Sequence, residues 1–129
     1  MSRKVLVADD EAHILNVVSM KLRNGGFEVI TAVDGEEALE LARVEKPDIV
    51  ITDYQMPIMT GVELCKALRA CEGTKRIPAV MLTARGFDLD ANDMAEAGIV
   101  AVLAKPFSPR EVLEKINEVL DGAANAAGK

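Results

Sequence analysis

The sequence predicts a doubly wound α/β domain, a parallel sheet with helices on both faces. Three observations point there: five short apolar runs rich in Val and Ile, helical apolar spacing between them, and runs that are apolar throughout rather than alternating. With 129 residues, half of them apolar, the chain can close one hydrophobic core and is short for two.

The strand candidates are Val5–Ala8, Phe27–Val33, Ile49–Thr52, Ala79–Leu82 and Ile99–Leu103. Between the first two, Ile14, Val17, Val18 and Leu22 recur at helical spacing, and Gly25-Gly26 ends that helix. Thr60 stands three residues before Glu63, the pattern of a capping box that opens the third helix. The fourth helix, expected near residues 88–97, has the weakest pattern, with Gly98 after it able to take positive φ. Ser108 precedes Pro109 and Glu111 and opens the last helix, whose stripe is Val112, Ile116, Val119 and Leu120. The domain is expected over residues 1–121, with 122–129, mostly Ala, Gly and Asn, as a frayed tail.

Composition excludes several classes of function. The formal charge is −6, and Lys and Arg form no run that could follow a phosphate backbone, so no direct nucleic-acid partner is expected. The longest apolar stretch, Ala97–Ala104, falls well short of the roughly 20 residues of a bilayer-spanning helix, so no membrane insertion is expected. The first residues lack the apolar region of a signal peptide, which favours a cytoplasmic location. Cys65 and Cys71 lie about 120° apart around a helix, without a His or Cys companion at metal-ligand spacing, and read as free thiols.

In an open parallel sheet the functional crevice lies beyond the carboxyl ends of the strands. There the sequence sets Asp9-Asp10-Glu11 after the first strand, Asp53 after the third, Thr83-Ala84 after the fourth and Lys105-Pro106 after the fifth. Carboxylates converging at a strand edge repel one another, which favours a bound hard cation or a raised pKa. Mg²⁺ suits oxygen ligands and needs only one or two carboxylates. A hydroxyl on Thr83 and a compact positive charge on Lys105 could each serve a phosphoryl oxygen. Taken singly, each residue has a plainer explanation: Asp9 and Asp10 as helix caps, Asp53 in an Asx turn, Thr83 as a strand-end hydroxyl, Lys105 as a solvated charge. Joint placement favours phosphoryl transfer to a carboxylate.

The segments Val5-Leu6-Val7-Ala8-Asp9-Asp10-Glu11, Asp53-Tyr54-Gln55-Met56-Pro57-Ile58-Met59-Thr60-Gly61, Leu82-Thr83-Ala84 and Lys105-Pro106-Phe107 resemble, in this order and spacing, the receiver domains of two-component response regulators. The resemblance covers the whole length and implies a flavodoxin-like sheet of strand order 2-1-3-4-5. It implies phosphorylation of Asp53, direct ligation of Mg²⁺ by Asp10, and Asp9 sharing the ion or acting through water. The backbone carbonyl of Gln55 would complete the protein's metal ligands. Thr83 and the Ala84 amide would hold phosphoryl oxygens, Lys105 would pair with the phosphoryl group, and the Lys105–Pro106 bond would be cis. Gln55 and Arg85 would flank the attacking water. The donor would be a sensor histidine kinase or phosphotransfer protein, and output would pass to a downstream protein or through a phosphorylation-dependent homodimer. One position departs from the family: three residues before the lysine, where an aromatic switch residue is usual, stands Val102.

Two other chemistries fit less well. A flavin carrier needs a Ser/Thr/Gly-rich phosphate loop after the first strand, where Asp9-Asp10-Glu11 would repel the phosphate. A phosphatase with a nucleophilic Asp would carry an Asp-x-Asp motif there. His13 is expected on the surface near the site rim, and Met56 and Met59 as packing for the loop after Asp53.

Overall fold

The computed structural model describes residues 3–83 and 90–127. Strands and helices alternate: β1 (Lys4–Ala8), α1 (Ala12–Asn24), β2 (Glu28–Ala32), α2 (Gly35–Glu45), β3 (Ile49–Asp53), α3 (Gly61–Arg69), β4 (Ala79–Thr83), α4 (Ala91–Ala97), β5 (Ile99–Ala104) and α5 (Pro109–Ala127). All strand pairs are parallel and the order is β2-β1-β3-β4-β5. The wholly apolar runs mark the central strands of this order. β3 and β4 are buried along their full length, and β1 in all but its first residue, because helices cover both faces of the central strands. The edge strands β2 and β5 carry the exposed positions.

One face of the sheet is packed by α1 and α5, through Leu15, Val18, Leu22, Val112, Ile116 and Leu120 against Val5, Val7, Ile49, Ile51, Val80 and Leu82. Each large aliphatic side chain buried there contributes about 1.5–3 kcal/mol. The other face uses smaller and softer residues: Ala38, Ala42, Leu64 and Met56 against Leu6 and Val50, and Cys65, Ala97 and Met81 further along. Cys65 is buried and Cys71 half-buried, both free thiols, and burial pushes the Cys65 thiol up to about 12.

Helix starts follow local chemistry. Thr60 Oγ1 accepts from the Glu63 amide at 3.1 Å while Glu63 accepts from the Thr60 amide at 2.9 Å. Ser108 and Glu111 form the same reciprocal pair at 3.1 Å each. A further cap, unmarked in the sequence reading, is Asp34, which accepts from the Glu37 amide at 2.8 Å. Gly98 closes α4 at φ 72°.

Several boundaries differ from expectation. β2 is shorter than Phe27–Val33 by one residue at each end. Asp53 and Thr83 are the last residues of their strands rather than the first beyond them, because the ladder continues through Tyr54 N to Leu82 O and Lys105 N to Thr83 O, both 2.8 Å. The N-cap of α4 is Asp90, and the expected start at Asp88 lies outside the described residues. α5 continues through Gly122 to Ala127, and alanine's high helix propensity favours that extension. Opposite Ala79 and Val80 of β4 the register of β5 slips by one, leaving Val100 as an extra residue in a bulge, 54% exposed.

Candidate functional site

The parallel ladder brings the ends of β1, β3, β4 and β5 to one edge of the sheet. β1 ends one residue before Asp9, whose amide still donates to Ala32 O at 3.1 Å and so keeps the residue in line with the sheet. Its side chain is fully buried: Oδ1 accepts from the Glu11 amide at 2.9 Å, and Oδ2 has no hydrogen-bond partner. Asp53 closes β3, 6% exposed, with Oδ1 accepting from the Tyr54 amide at 3.0 Å. Asp10 is exposed beside them, and one carboxylate oxygen from each of Asp9, Asp10 and Asp53 lies within 4.8 Å of the others.

Lys105, following β5, reaches back over this cluster. Its Nζ lies 3.1 Å from Asp53 Oδ1, 3.4 Å from Glu11 Oε1 and 3.9 Å from Asp9 Oδ2. The Lys105–Pro106 bond is cis. Asp10, Glu11, Asp53, Gln55 and Lys105 line a cavity of about 310 Å³ open to solvent. Thr83 is buried at the end of β4, in register with Ala104 next to the lysine. Ala84 and Arg85 lie outside the described residues.

Electrostatics follow from this packing. Burial, reinforced by the Asp53 charge, pushes Asp9 up to about 6, against the opposing effect of the Glu11 amide. Burial also raises Asp53, though the hydrogen bond and charge of Lys105 oppose it. Burial would lower Lys105, but Asp53, Asp9 and Glu11 together hold its pKa above the ordinary lysine value.

A buried carboxylate oxygen without a hydrogen bond, with two further acids within reach, is a donor set suited to a hard cation, which prefers oxygen ligands. The residues therefore fit a divalent ion, and the exposed carbonyl-bearing residue Gln55 borders the same cavity. The exposed His13 sits at the rim, lining a neighbouring groove with Lys105, Pro106 and Phe107. Met56 is buried against the α2 side of the core, with Thr52 Oγ1 3.8 Å from its sulfur, and Met59 is half-buried there.

Two features escape the sequence reading. Glu11 turns toward Lys105, a pairing across 94 residues that spacing does not reveal. Ile58 adopts φ 75° in a tight turn closed by Met59 N to Pro57 O at 2.8 Å, and its side chain is 72% exposed. A β-branched residue at positive φ is a strained choice, and the Pro beside it was the only sequence signal of a turn.

The response regulator receiver domain family model matches residues 5–117. Among curated proteins, the chain is 41% identical over 127 residues to the alkaline phosphatase synthesis transcriptional regulatory protein PhoP of Bacillus subtilis (strain 168), covering 98% of this chain and 52% of that protein. The chain thus spans about half the length of the curated relatives it matches. Among solved structures, chemotaxis response regulator CheY4 of Vibrio cholerae is 38% identical with a TM-score of 0.85, over 92% of this chain and 99% of that one. The receiver domain of sensor histidine kinase PA1611 from Pseudomonas aeruginosa PAO1, solved with a magnesium ion coordinated in its active-site cleft, is 27% identical with a TM-score of 0.80, over 92% and 97%.

Proposed function

The chain belongs to the response regulator receiver domain family, and we propose from this premise that Asp53 accepts a phosphoryl group in a two-component relay and that partners read the result. The observation that carries this reading is the cluster at the sheet edge: a nearly buried carboxylate, Asp53, with an ammonium 3.1 Å away and two more acids alongside.

Asp9, Asp10, Asp53 and the Gln55 backbone carbonyl would hold a divalent ion such as Mg²⁺, as the magnesium-bound receiver of PA1611 suggests. When bound, that ion supplies positive charge to phosphoryl oxygens and offsets the repulsion among the acids. Asp53 provides the nucleophilic oxygen. A lone pair of its carboxylate forms the P–O bond as the P–N bond of a phosphohistidine breaks, and the electron pair leaves with the imidazole. Lys105 moves its ammonium from the Asp53 oxygen to a phosphoryl oxygen and keeps its proton. Thr83 donates its hydroxyl to another, and the Ala84 amide would hold a third, a role resting on the family resemblance alone. Burial of Asp53 keeps its carboxylate poorly solvated, which favours its reaction once the surrounding charge is balanced.

The donor would be a sensor histidine kinase or a phosphotransfer protein, and the domain would catalyse its own phosphorylation and slow hydrolysis rather than turn over a substrate. Among the described residues no helix is long and apolar enough to cross a membrane; a cytoplasmic location follows from the proposed relay, not from that absence. Output would pass to a protein target or through a phosphorylation-dependent homodimer.

Labelling with acetyl phosphate and Mg²⁺, read by intact mass, tests the acceptor. Asp53→Ala should abolish the mass increase, and excess chelator should suppress it in the unaltered protein. Stoichiometric labelling of Asp53→Ala would move the acceptor elsewhere.

A further inference from the structure

Glu11 occupies the N-cap position of α1, yet its side chain makes no capping hydrogen bond. The Glu11 amide donates instead to Asp9 Oδ1, and the Glu11 carboxylate extends to Lys105 Nζ at 3.4 Å. Among the described residues, Glu11 is the only acid outside the three-carboxylate cluster that lies within 4.0 Å of that ammonium. It is also solvent-exposed, 59% for its side chain, and lines the cavity mouth with Gln55.

A lysine is a compact charge on a four-carbon stem, with three donors and many rotamers. Left with Asp53 as its one short partner, the ammonium would settle on the nucleophile and occupy the lone pair needed for attack. A second acceptor at the mouth holds it between Asp53 and the side from which a phosphoryl group arrives.

We infer that Glu11 is a positioning residue for Lys105 in phosphoryl transfer. This role rests on Asp53 being the acceptor. With phosphoramidate as donor, the P–N bond breaks as the P–O bond to Asp53 forms, and nitrogen departs as ammonia with its electron pair. Lys105 stays protonated and passes from the Glu11–Asp53 pair to a phosphoryl oxygen. The Glu11 charge has a second, opposing effect, because it repels an anionic donor at the mouth.

Position and charge are separable with two variants. Glu11→Ala removes the acceptor and the charge, whereas Glu11→Gln removes the charge and keeps an oxygen at the same reach. Phosphoramidate labelling in Mg²⁺ should show the maximal rate of Glu11→Ala reduced roughly tenfold or more, the scale set by misplacing a catalytic group. Glu11→Gln should recover to within about threefold of the unaltered protein on the same scale. The half-saturating donor concentration should fall equally in both. In metal-free protein, the Lys105 ammonium protons should give a slowly exchanging NMR signal that Glu11→Ala loses and Glu11→Gln retains. An unchanged maximal rate in Glu11→Ala, equal losses in the two variants, or an ammonium signal indifferent to both would overturn the inference. Full labelling of an Asp53→Ala control would instead overturn the acceptor itself, while the metal-free signal would still report whether Glu11 places Lys105.

Discussion

Each end of the sheet carries a lysine among carboxylates, and the two groups behave differently. At the amino end Lys4 Nζ lies 3.1 Å from Glu45 and 3.4 Å from Glu28, and the Lys4 amide donates to Asp48 at 2.7 Å. At the carboxyl end Lys105 meets Asp53, Glu11 and Asp9 at 3.1, 3.4 and 3.9 Å. Distances and residue types nearly match. The difference is solvent: Glu28 and Glu45 are exposed, while Asp9 and Asp53 are buried, with raised pKa values and one oxygen lacking a hydrogen bond. Water screens the first group into a surface ornament of little energetic weight. In the second, low polarisability keeps charge imbalance alive, and only a cation or a proton relieves it.

The largest expected effect comes from removing each lysine in turn. Lys105→Ala should slow labelling of Asp53 by roughly 100-fold, the scale of losing one electrostatic stabiliser, and Lys4→Ala should leave the rate unchanged. Comparable losses in both would mean that net charge, not position, governs the reaction.

Next is Asp9. A pKa of about 6 against an ordinary 3.8 amounts to as much as about 3 kcal/mol of destabilisation at neutral pH in metal-free protein. Because the folded-state value is raised, the contribution to stability is fully present below 3.8 and lost as pH rises through about 6. Asp9→Asn should therefore raise the urea midpoint at pH 7.5 in chelator, and the gap to the unaltered protein should narrow as pH falls toward 4. Stabilisation by added Mg²⁺ should weaken over the same window, because protons compete for the ligand. A pH-independent gap would place the buried charge elsewhere.

A smaller effect is expected at Ile58. Glycine at φ 75° removes the strain of a β-branched residue, worth about 1–3 kcal/mol, less the extra chain entropy that glycine loses on folding. Ile58→Gly should gain about 1 kcal/mol by denaturant titration; a loss instead would show that the exposed side chain makes a contact that offsets the turn.

The smallest effect concerns how far a charge change at this edge travels. Val102 is half-buried, in register with Met81 and packed against the cluster of Cys65, Ala79, Met81, Ala97 and Ile99. Its β-branch restricts χ1, so it cannot swing as an aromatic ring would. Comparing amide shifts with and without beryllofluoride, large changes are expected near Asp53, Thr83 to Asp90 and Lys105, and small ones across residues 101–103 and α5. Large, equal changes along β5 and α5 would assign the switch to another residue.

Much of this was legible in advance because apolar runs and strand-end polar residues obey simple rules. Burial on both faces makes the runs of β1, β3 and β4 predominantly apolar, and their carboxyl ends must then point to one crevice. The Thr60 and Ser108 caps are local patterns and were equally readable. What could not be read was long-range or conformational. The Glu11–Lys105 pair depends on a side chain declining to cap its own helix, and the φ of Ile58 is set by the turn rather than by its residue type. The persistence of α5 beyond Gly122 reflects several alanines outweighing one glycine.

Gly61 packs its backbone directly under Asp53. A methyl group at this first residue of α3 would collide with the Asp53 carbonyl oxygen and press on Met81 sulfur, and the Gly61 amide donates to Tyr54 O at 2.8 Å. The backbone of Asp53 is thus clamped between a neighbouring strand and the butt of a helix, like the fixed jaw of a vise. A group added to its side chain finds no compliance beneath it, so displacement must be taken up by the opposite jaw, the long side chain of Lys105 and the strand end that carries it.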